Sequence, residues 1–351
     1  MTANWDNFAC PSGPAADHGQ ITLAHGEGGR LTRQLIAQHI VPALQNSVLS
    51  ALGDAAVLPA LHGPLAFATD SYVVSPLFFP GGDIGKLAVF GTVNDLVVSG
   101  ARPRWLSLSL IIEEGLAVST LDRIIRSIAE AARTVDVEIV TGDTKVVPCG
   151  AADQIFINTA GVGELLAPIP PGPAALQSGD ELVVTGPVGR HGVAILASRE
   201  NFGIDPVPCS DCAPLTTLVD ALRNGECPLT AMRDATRGGV AAVLHEWAEQ
   251  SRLTMSITDA AIPVTDEVRG VCELLGLDPL HMANEGTMVV AVPAGWGART
   301  VSLLRTEDAG MHAAVIGTVV PQRIAPVIVR RLLGTDQPLD DPPGSPLPRI
   351  C

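Results

Sequence analysis

The clearest indication of the architecture lies in residues 69–101, TDSYVVSPLFFPGGDIGKLAVFGTVNDLVVSGA. An apolar strand ends at Asp70, and a helix is predicted to start at Ile84. Asp83 stands just before that helix, where an aspartate side chain can accept hydrogen bonds from the free N–H groups of the first turn. The apolar segment that follows has polar residues in its middle, so this region places ionisable groups inside elements that should be buried.

Three aspartates, Asp54, Asp70 and Asp95, lie in or beside the apolar segments of this region, and Asn94 precedes the last of them. An ionised carboxylate is rarely buried without a partner, and residues 54–104 contain only three basic side chains. Each aspartate alone could cap a helix or face water. Together they predict a divalent cation shared by several carboxylates, and hard oxygen ligands around phosphates suit Mg²⁺.

A second group of polar residues follows the strand RWLSLSLII, residues 104–112. Its leucines and serines alternate, which predicts one buried and one accessible face. The next predicted strand, in VEIVTGDTKVV, presents Thr141, Asp143 and Lys145 at its end. Because open α/β folds place ligand groups at the carboxyl ends of strands, these residues are expected to join the same polar site, with Asp143 as a fourth carboxylate. An exposed turn is the alternative.

Two glycine-rich junctions have the layout of anion sites. The first junction, in ITLAHGEGGRLTRQLIAQHI, is expected to form a short strand (Ile21–Ala24), a loop containing Gly28 and Gly29, and a helix. In the second, RDATRGGVAAVLHEWAEQ, Asp234 stands just ahead of an amphipathic helix. A helix N-terminus offers free N–H groups to a phosphate, and glycine lets the backbone approach closely. Neither junction is specific alone, and the chain contains no P-loop signature. Glu285 lies on a glycine turn ahead of a strand and, taken alone, would be a solvated turn residue.

Composition narrows the class of protein. With 351 residues, 47% of them hydrophobic and only 3% aromatic, the chain is expected to form two α/β domains. Its net charge of -15 disfavours nucleic-acid binding, which needs clustered Lys and Arg. The absence of a signal-peptide pattern or a long apolar run predicts a cytoplasmic protein that does not enter a membrane. Seven cysteines at irregular spacing indicate reduced thiols rather than a disulfide framework.

Proline- and glycine-rich stretches set the predicted boundaries. The expected units are a flexible N-terminus (1–19), a first domain (20–164), a linker (165–179), a second α/β domain (180–333) and a mobile tail (334–351). Within the second domain, His191, His245 and His281 show no metal-ligand spacing and are predicted to be structural.

The tail, GTDQPLDDPPGSPLPRIC, contains five prolines and ends in Cys351. Proline fixes φ and removes a backbone donor, so the tail is expected to be exposed and extended, without a helix, a central strand or a place in the core. At ~3.1 Å per residue, such an arm would let the Cys351 thiol reach about 55 Å. A frayed terminus with an accidental cysteine is the alternative interpretation.

Six motifs in order resemble the HypE-type hydrogenase maturation proteins of the aminoimidazole ribonucleotide synthetase superfamily. They are LAHGEGGR, the 69–101 stretch, VTGDTKVV, RDATRGGV, ANEG and the terminal PRIC. The resemblance implies an α/β fold of two domains, in which N-terminal sheets pair into a barrel in a homodimer, with a C-terminal α/β sandwich and a flexible tail. It also implies that ATP and Mg²⁺ bind in a cleft between the domains.

The activity that the resemblance implies is the ATP-dependent dehydration of a carbamoyl group carried on the C-terminal cysteine. A HypF-type carbamoyltransferase would load the cysteine, and the resulting thiocyanate would supply the cyanide ligand of the [NiFe] hydrogenase iron through a HypC–HypD scaffold complex. Two other hypotheses stay open, namely an ATP-dependent kinase of a free small molecule and a nucleotide-binding maturation scaffold without catalysis.

By motif match, the resemblance also assigns roles to residues of this chain. Cys351 would carry the substrate, Glu285 would act as the base, and Lys145 would orient the carbamoyl group or neutralise the phosphoryl group. The residues expected to hold Mg²⁺ are Asp54, Asp70, Asp95 and Asp143, and those expected to bind the nucleotide further include Gly28, Gly29, Asn94, Thr141 and Asp234.

Overall fold

The computed structural model of the protein describes residues 19–200, 202–331, 334–341 and 350–351. The predicted flexible N-terminus, residues 1–19, therefore lies outside the described residues except for Gly19. The described helices are α1 (Arg30–Leu35), α2 (Val41–Leu44), α3 (Ile84–Val98), α4 (Val118–Thr134), α5 (Arg190–Arg199), α6 (Thr216–Asn224), α7 (Gly239–Ser251), α8 (Asp266–Leu275) and α9 (Gly297–Leu304). The described strands are β1 (Leu65–Tyr72), β2 (Phe78–Phe79), β3 (Gly82–Asp83), β4 (Ala101–Glu113), β5 (Glu138–Val147), β6 (Ile155–Leu165), β7 (Glu181–Val184), β8 (Ala231–Asp234), β9 (Thr254–Thr258), β10 (Met288–Val292), β11 (Ala314–Val320), β12 (Val327–Arg330) and β13 (Asp336–Pro338).

The first sheet has the strand order β1-β6-β4-β5, with β4 and β5 parallel and the other neighbours antiparallel. The predicted alternation in RWLSLSLII is confirmed, since Leu106, Leu108 and Leu110 are buried in the core cluster that also contains residues of α3 and α4. The start of α3 is also confirmed, because the Asp83 carboxylate accepts hydrogen bonds from the backbone N–H groups of Gly85 and Lys86. The predicted strand 21–24 is wrong: a 3-10 turn occupies Leu23–Gly26.

The other face of this sheet is apolar and accessible. Phe67 on β1 is 70% exposed, Leu65 58% and Ile111 on β4 41%. Register places Phe67 beside Val162 of β6, which in turn lies beside Trp105 of β4, so all three point away from the helices. Exposed contiguous apolar patches commonly mark interaction surfaces.

The second sheet has the strand order β13-β12-β9-β11-β7-β10-β8. Only β9 and β12 are parallel among its described neighbours. The core cluster on one face includes Trp247 of α7, whereas Leu222 of α6 and Leu304 of α9 belong to the cluster that also holds the core of the N-terminal half. The two halves of the chain therefore share buried apolar surface.

The side chain of Asn94, near the C-terminal end of α3, joins the two halves. It is 2% exposed. Its amide nitrogen donates to the carbonyl of Ala213 at 3.1 Å and, more weakly, to that of Glu285 at 3.4 Å. Its oxygen accepts the N–H of Leu215 at 2.8 Å. The polar atoms of the Asn94 side chain are thus used by the protein's own main chain, and its role in nucleotide binding stays a prediction.

The tail is not wholly exposed, in contrast to the prediction. Its residues Asp336–Pro338 form β13 at the edge of the second sheet, where the missing N–H of Pro338 is tolerated. Leu339 is 5% exposed and Ile350 3% exposed, and both belong to core clusters. Proline limits the backbone conformation but leaves apolar side chains between the prolines free to be buried. The part of the predicted mobile segment at residues 342–349 lies outside the described residues.

Replacing Asn94 by aspartate should destabilise the fold. The substitution Asn94→Asp converts a donor that faces two carbonyls into a buried carboxylate oxygen, so we expect the free energy of unfolding to fall by about 3 kcal/mol. Urea denaturation followed by circular dichroism measures the change. The exposed residue Asn224 provides the control, and Asn224→Asp should cost less than about 1 kcal/mol. Equal losses for both variants would contradict the proposed role of Asn94.

Candidate active site

A cavity of about 260 Å³ between the two halves contains the C-terminal cysteine. Its lining brings together residues that are far apart in sequence: Asp70, Ser71, Tyr72, Gly91, Asp95, Arg233, Thr236, Arg237, Glu285 and Cys351. Asp70 comes from β1, Asp95 from α3 and Arg233 from β8, while Glu285 stands in the loop before β10. The fold thus assembles three of the predicted acidic residues and the predicted reactive thiol in one place.

The carboxylates of this cavity are destabilised in their charged forms. Burial raises the pKa of Asp95 to about 7, and the neighbouring charges of Asp234 and Asp70 act in the same direction. Burial likewise raises the pKa of Asp70 and of Asp234, against the opposing effect of the Arg237 and Arg233 guanidinium groups, respectively. A cluster of this kind favours any added positive charge, whether a proton or a metal ion.

Glu285 is 4% exposed, and its loop is fixed by Asp211. The Asp211 carboxylate accepts hydrogen bonds from the N–H groups of Glu285 at 3.0 Å and Gly286 at 3.1 Å, and from the Thr287 hydroxyl at 2.9 Å. Burial, followed by the charges of Asp211 and other carboxylates, raises the pKa of Glu285 well above its usual range. Glu285 is therefore a buried residue rather than the solvated turn residue that its local sequence suggests.

Cys351 and Glu285 both line the cavity, and their side chains are close enough to affect each other's pKa. Burial raises the pKa of this thiol, and the Glu285 charge raises it further. Arg237 opposes the effect. The thiolate is the nucleophilic form of cysteine, so the docked Cys351 is held as an unreactive thiol next to a group that can accept its proton.

A second pocket, of about 510 Å³, lies beside β5 and the N-terminal helices. Its walls include apolar side chains such as Ile36, Leu44 and Leu108. Its polar lining includes four of the predicted site residues, Gly28, Thr141, Asp143 and Lys145. The Lys145 ammonium lies 3.8 Å from an Asp143 oxygen, with both side chains more than 60% exposed.

The prediction that Thr141, Asp143 and Lys145 follow the end of a strand is wrong. All three lie inside β5, which continues to Val147. Asp143 is paired in register with Ser109 of β4, so its side chain lies on the face away from the helices. Asp70 is paired with Thr159 of β6, which is paired with Leu108 of β4, so the Asp70 side chain lies on the face that the helices cover.

Within one chain, the four aspartates predicted to bind Mg²⁺ do not form one site. Because β1 and β5 are the opposite edges of a four-stranded sheet, Asp70 and Asp143 are separated by three strand spacings, about 14 Å. Asp54 lines neither pocket, although its neighbours Gly53 and Ala55 line the larger one. Gly29 is also outside both linings.

Sequence reasoning missed several residues that shape the site. Arg233 and Arg237 supply the cavity's positive charge, and Asp211 fixes the Glu285 loop. His191, predicted to be structural, donates from Nε2 to the carbonyl oxygen of Ile350, next to the reactive cysteine. The RDATRGG motif could have indicated the arginines, but no local pattern links Asp211 or His191 to residues 285 and 350.

Comparison with known proteins shows which family the chain belongs to. Residues 52–165 match the N-terminal domain, and residues 177–329 the C-terminal domain, of AIR synthase related proteins. The carbamoyl dehydratase HypE of Escherichia coli K12 is 49% identical over 337 residues, which cover 94% of this chain and 99% of that protein. The chain belongs to the HypE family.

Solved HypE structures have the same fold. A crystal structure of HypE in complex with ATP superposes with a TM-score of 0.90 at 43% identity and covers 94% of this chain and 99% of the other. The HypE chain of a HypE–HypF complex gives a TM-score of 0.76 at 40% identity, covering 90% of this chain and all of the other. In the described part of this HypE-family chain, none of the helices has the length and apolar character that a membrane span requires.

The partial burial of Cys351 predicts slow alkylation. Cys149 and Cys209 are exposed, so near neutral pH we expect Cys351 to react with iodoacetamide at least about tenfold more slowly than either. Because its pKa is raised, its rate should keep increasing with pH beyond the point where the rates of the exposed thiols level off. Peptide mass spectrometry measures the three rates, and a denatured sample controls for local sequence effects. Equal rates in the folded protein would contradict the docked position.

Proposed function

We propose that the protein is a carbamoyl dehydratase that acts on its own C-terminal cysteine, converting S-carbamoyl-Cys351 to S-cyano-Cys351 at the expense of ATP. The thiocyanate would supply the cyanide ligand of a [NiFe] hydrogenase iron. The observation that carries this proposal is that Cys351 lines the carboxylate-lined cavity together with the buried Glu285. The near-full-length similarity to a protein named carbamoyl dehydratase supports it.

The chemistry requires a leaving group and a base. A carbamoyl oxygen leaves poorly, and ATP provides the chemical solution by transferring its γ-phosphoryl group to that oxygen, so that phosphate departs. The carbamoyl nitrogen must lose two protons for the C–N bond to become a nitrile. Glu285 is positioned beside Cys351 to accept a proton from that nitrogen, and a raised pKa makes its carboxylate a stronger base once ionised.

The cavity fits a magnesium ion that is bound together with phosphate. Among the described residues, no three His, Cys, Asp or Glu side chains are close enough to hold a metal by themselves. Mg²⁺ commonly uses one or two carboxylates together with substrate phosphates and water, and Asp70 and Asp95 would provide those carboxylates. Within the described ranges, no lysine or arginine forms an ion pair with Asp70, Asp95 or Asp234. When bound, the cation would neutralise the charge of the phosphates.

A homodimer would bring the two pockets together. The accessible apolar face of the first sheet and its two open edges, β1 and β5, suit the closure of two such sheets into a barrel. Pairing β5 of one copy with β1 of the other would place Asp143 and Lys145 near the partner copy's cavity. We therefore propose that Gly28, Thr141, Asp143 and Lys145 bind the nucleotide at the subunit interface, with Asp54 and Gly29 at its margin.

The proposed partners are those that would supply the carbamoyl group of Cys351 and accept the cyanide formed from it. A HypF-type carbamoyltransferase would load Cys351, and a structure of a HypE–HypF complex supports such an encounter for the family. A HypC–HypD scaffold would accept the cyanide. We propose a cytoplasmic location, which agrees with the free thiols of the six cysteines in the described ranges.

The decisive test is the intact mass of the C-terminal peptide after incubation with the carbamoyltransferase, carbamoyl phosphate, ATP and Mg²⁺. The peptide should gain one carbamoyl group and then lose one water. In Asp95→Asn it should gain the carbamoyl group but lose water at least about 100-fold more slowly, because a carboxylate for the metal is missing.

The control for Asp95→Asn is Asp136→Asn, which alters an aspartate whose side chain is 93% exposed and should behave as the unaltered protein. An unmodified peptide during active ATP turnover would refute the proposed substrate. Normal dehydration by Asp95→Asn would refute the role of the cavity.

Substitution of Phe67 should weaken the dimer. Phe67→Glu places a charge in the centre of the apolar face, so we expect a shift from dimer to monomer at micromolar concentration and a loss of dehydration. Sedimentation velocity measures the first effect. Exposed Leu274 lies outside this face, on α8, and Leu274→Glu should leave the dimer intact. A Phe67→Glu protein that stays dimeric would show that another surface joins the subunits.

A further inference from the structure

Three histidines of the second half contact backbone carbonyls of the tail. The His245 Nε2 lies 3.2 Å from the Leu339 oxygen, and the His281 Nε2 lies 3.0 Å from the Asp340 oxygen. His191 Nε2 contacts the carbonyl of Ile350, the residue before the reactive cysteine. The first two contacts lie at the base of the tail, whereas the third lies at its tip.

The proton of His191 is assigned by its partners. A carbonyl oxygen can only accept, so Nε2 carries a hydrogen and donates it to Ile350. The Ser210 hydroxyl lies 2.8 Å from Nδ1 and accepts the N–H of Cys212 at 3.0 Å, so its own hydrogen can be donated to Nδ1. Burial lowers the pKa of His191, which favours this neutral tautomer.

The rest of the fold holds His191 in position. Its ring is fully buried and makes an edge contact with Phe79 at 5.4 Å. Ser210 is fixed in turn, since its N–H donates to the carbonyl of Pro80 at 2.9 Å in the loop between β2 and β3. Helix α5, the loop around Ser210 and the β2–β3 hairpin therefore converge on the carbonyl of Ile350.

The Ile350 side chain completes the contacts of the tail tip with α5, the Ser210 loop and the β2–β3 hairpin, and this binding site for the tip is called the seat. Ile350 is 3% exposed and packs in the core cluster shared by both halves of the chain. Without Ile350, the buried Nε2–H would lose its acceptor, which is unfavourable in a water-poor environment. The seat is thus selective for the docked tip in two ways, by apolar burial and by one oriented hydrogen bond.

The docked position conflicts with loading. Cys351 lies in a cavity of about 260 Å³ that another enzyme's active site could not enter. The tip must therefore leave the seat for the thiol to receive a group from a partner, and return for the chemistry beside Glu285.

We propose that His191, oriented by Ser210, is a positioning residue that holds Ile350 in its seat and thereby sets the fraction of time that Cys351 spends in the cavity. The part of this inference that concerns loading rests on the proposed function. The docking itself does not.

The attachment of the tail to the second sheet limits how far Cys351 can move when it leaves the cavity. β13 pairs with β12, and the Leu339 N–H donates to the Val327 carbonyl at 3.1 Å. Cys351 is the tenth residue after Asp341, so the thiol can reach at most about 35 Å from Asp341. This is shorter than the arm expected from the whole tail, and it confines the encounter with a loading enzyme to the surface around β13.

The first test measures the alkylation rate of Cys351 in purified full-length protein and needs no partner. His191→Phe keeps an aromatic ring beside Phe79 but removes the donor, so we expect alkylation about 5- to 100-fold faster than in the unaltered protein. Cys149 serves as an internal reference. His191→Gln retains a donor near the position of Nε2 and should restore much of the protection, and Ser210→Ala should give an intermediate rate.

His245→Phe is the matched control, because it removes a histidine contact to a tail carbonyl at the base, where β13 still holds the chain. Its alkylation rate should stay within about twofold of the unaltered protein. Equal acceleration by His245→Phe and His191→Phe would overturn the inference, as would an unchanged rate in both His191→Phe and Ser210→Ala.

A second measurement, of loading and dehydration rates, distinguishes a positioning role of His191 from a general loss of folded structure. With the carbamoyltransferase present, His191→Phe should be loaded at least as fast as the unaltered protein. The first-order loss of water from preloaded protein should slow by a smaller factor than the gain in alkylation, because dehydration follows the docked fraction and alkylation the undocked fraction. A parallel loss of loading and dehydration would overturn the positioning role. If the alkylation result holds but no carbamoyl group is ever found on Cys351, the docking stands and the proposed function fails.

Discussion

The active site depends on the hydrogen bonds of Asn94 across the two halves of the chain. The same buried side chain binds the carbonyl of Glu285 and the N–H of Leu215, while the next residue, Asp95, faces the cavity. A displacement of either half would therefore change the distance between Asp95 on α3 and Glu285 on the loop before β10. Asp211 provides a second constraint on that loop. The relative position of Asp95 and Glu285 is set by hydrogen bonds between buried side chains and main-chain groups as well as by the apolar core.

The cavity combines two positive side chains, Arg233 and Arg237, with three acidic ones, Asp70, Asp95 and Glu285. Such an arrangement costs stability, because burial and the charges of Asp234 and Asp70 raise the pKa of Asp95. A cation bound there together with phosphates would offset this cost, since charges interact strongly where water is scarce. The same environment keeps the Cys351 sulfur protonated. The site is thus adapted to chemistry on a group already attached to sulfur, rather than to attack by a free thiolate.

Sequence patterns predicted the parts of the fold that depend on local chemistry. The cap at Asp83 and the alternation in β4 follow from spacing alone. The meeting of Asp70, Asp95, Glu285 and Cys351 was predicted by family resemblance. The contacts of Asn94, Asp211 and His191 with main-chain groups were not predictable, because each of these groups lies more than 70 residues away in the sequence. The separation of Asp143 from Asp70 depends on strand order and facing, which no single stretch of sequence specifies.

The position of Cys351 in the cavity has a steric consequence. A side chain in the middle of a segment can enter a closed space only if two lengths of polypeptide enter with it. Ile350 is buried in the core, and Cys351 shares the cavity with Glu285 and two arginines. Any residue appended after Cys351, including an affinity tag, would occupy the volume that the cargo needs. Purification tags for this chain therefore belong at its opposite end.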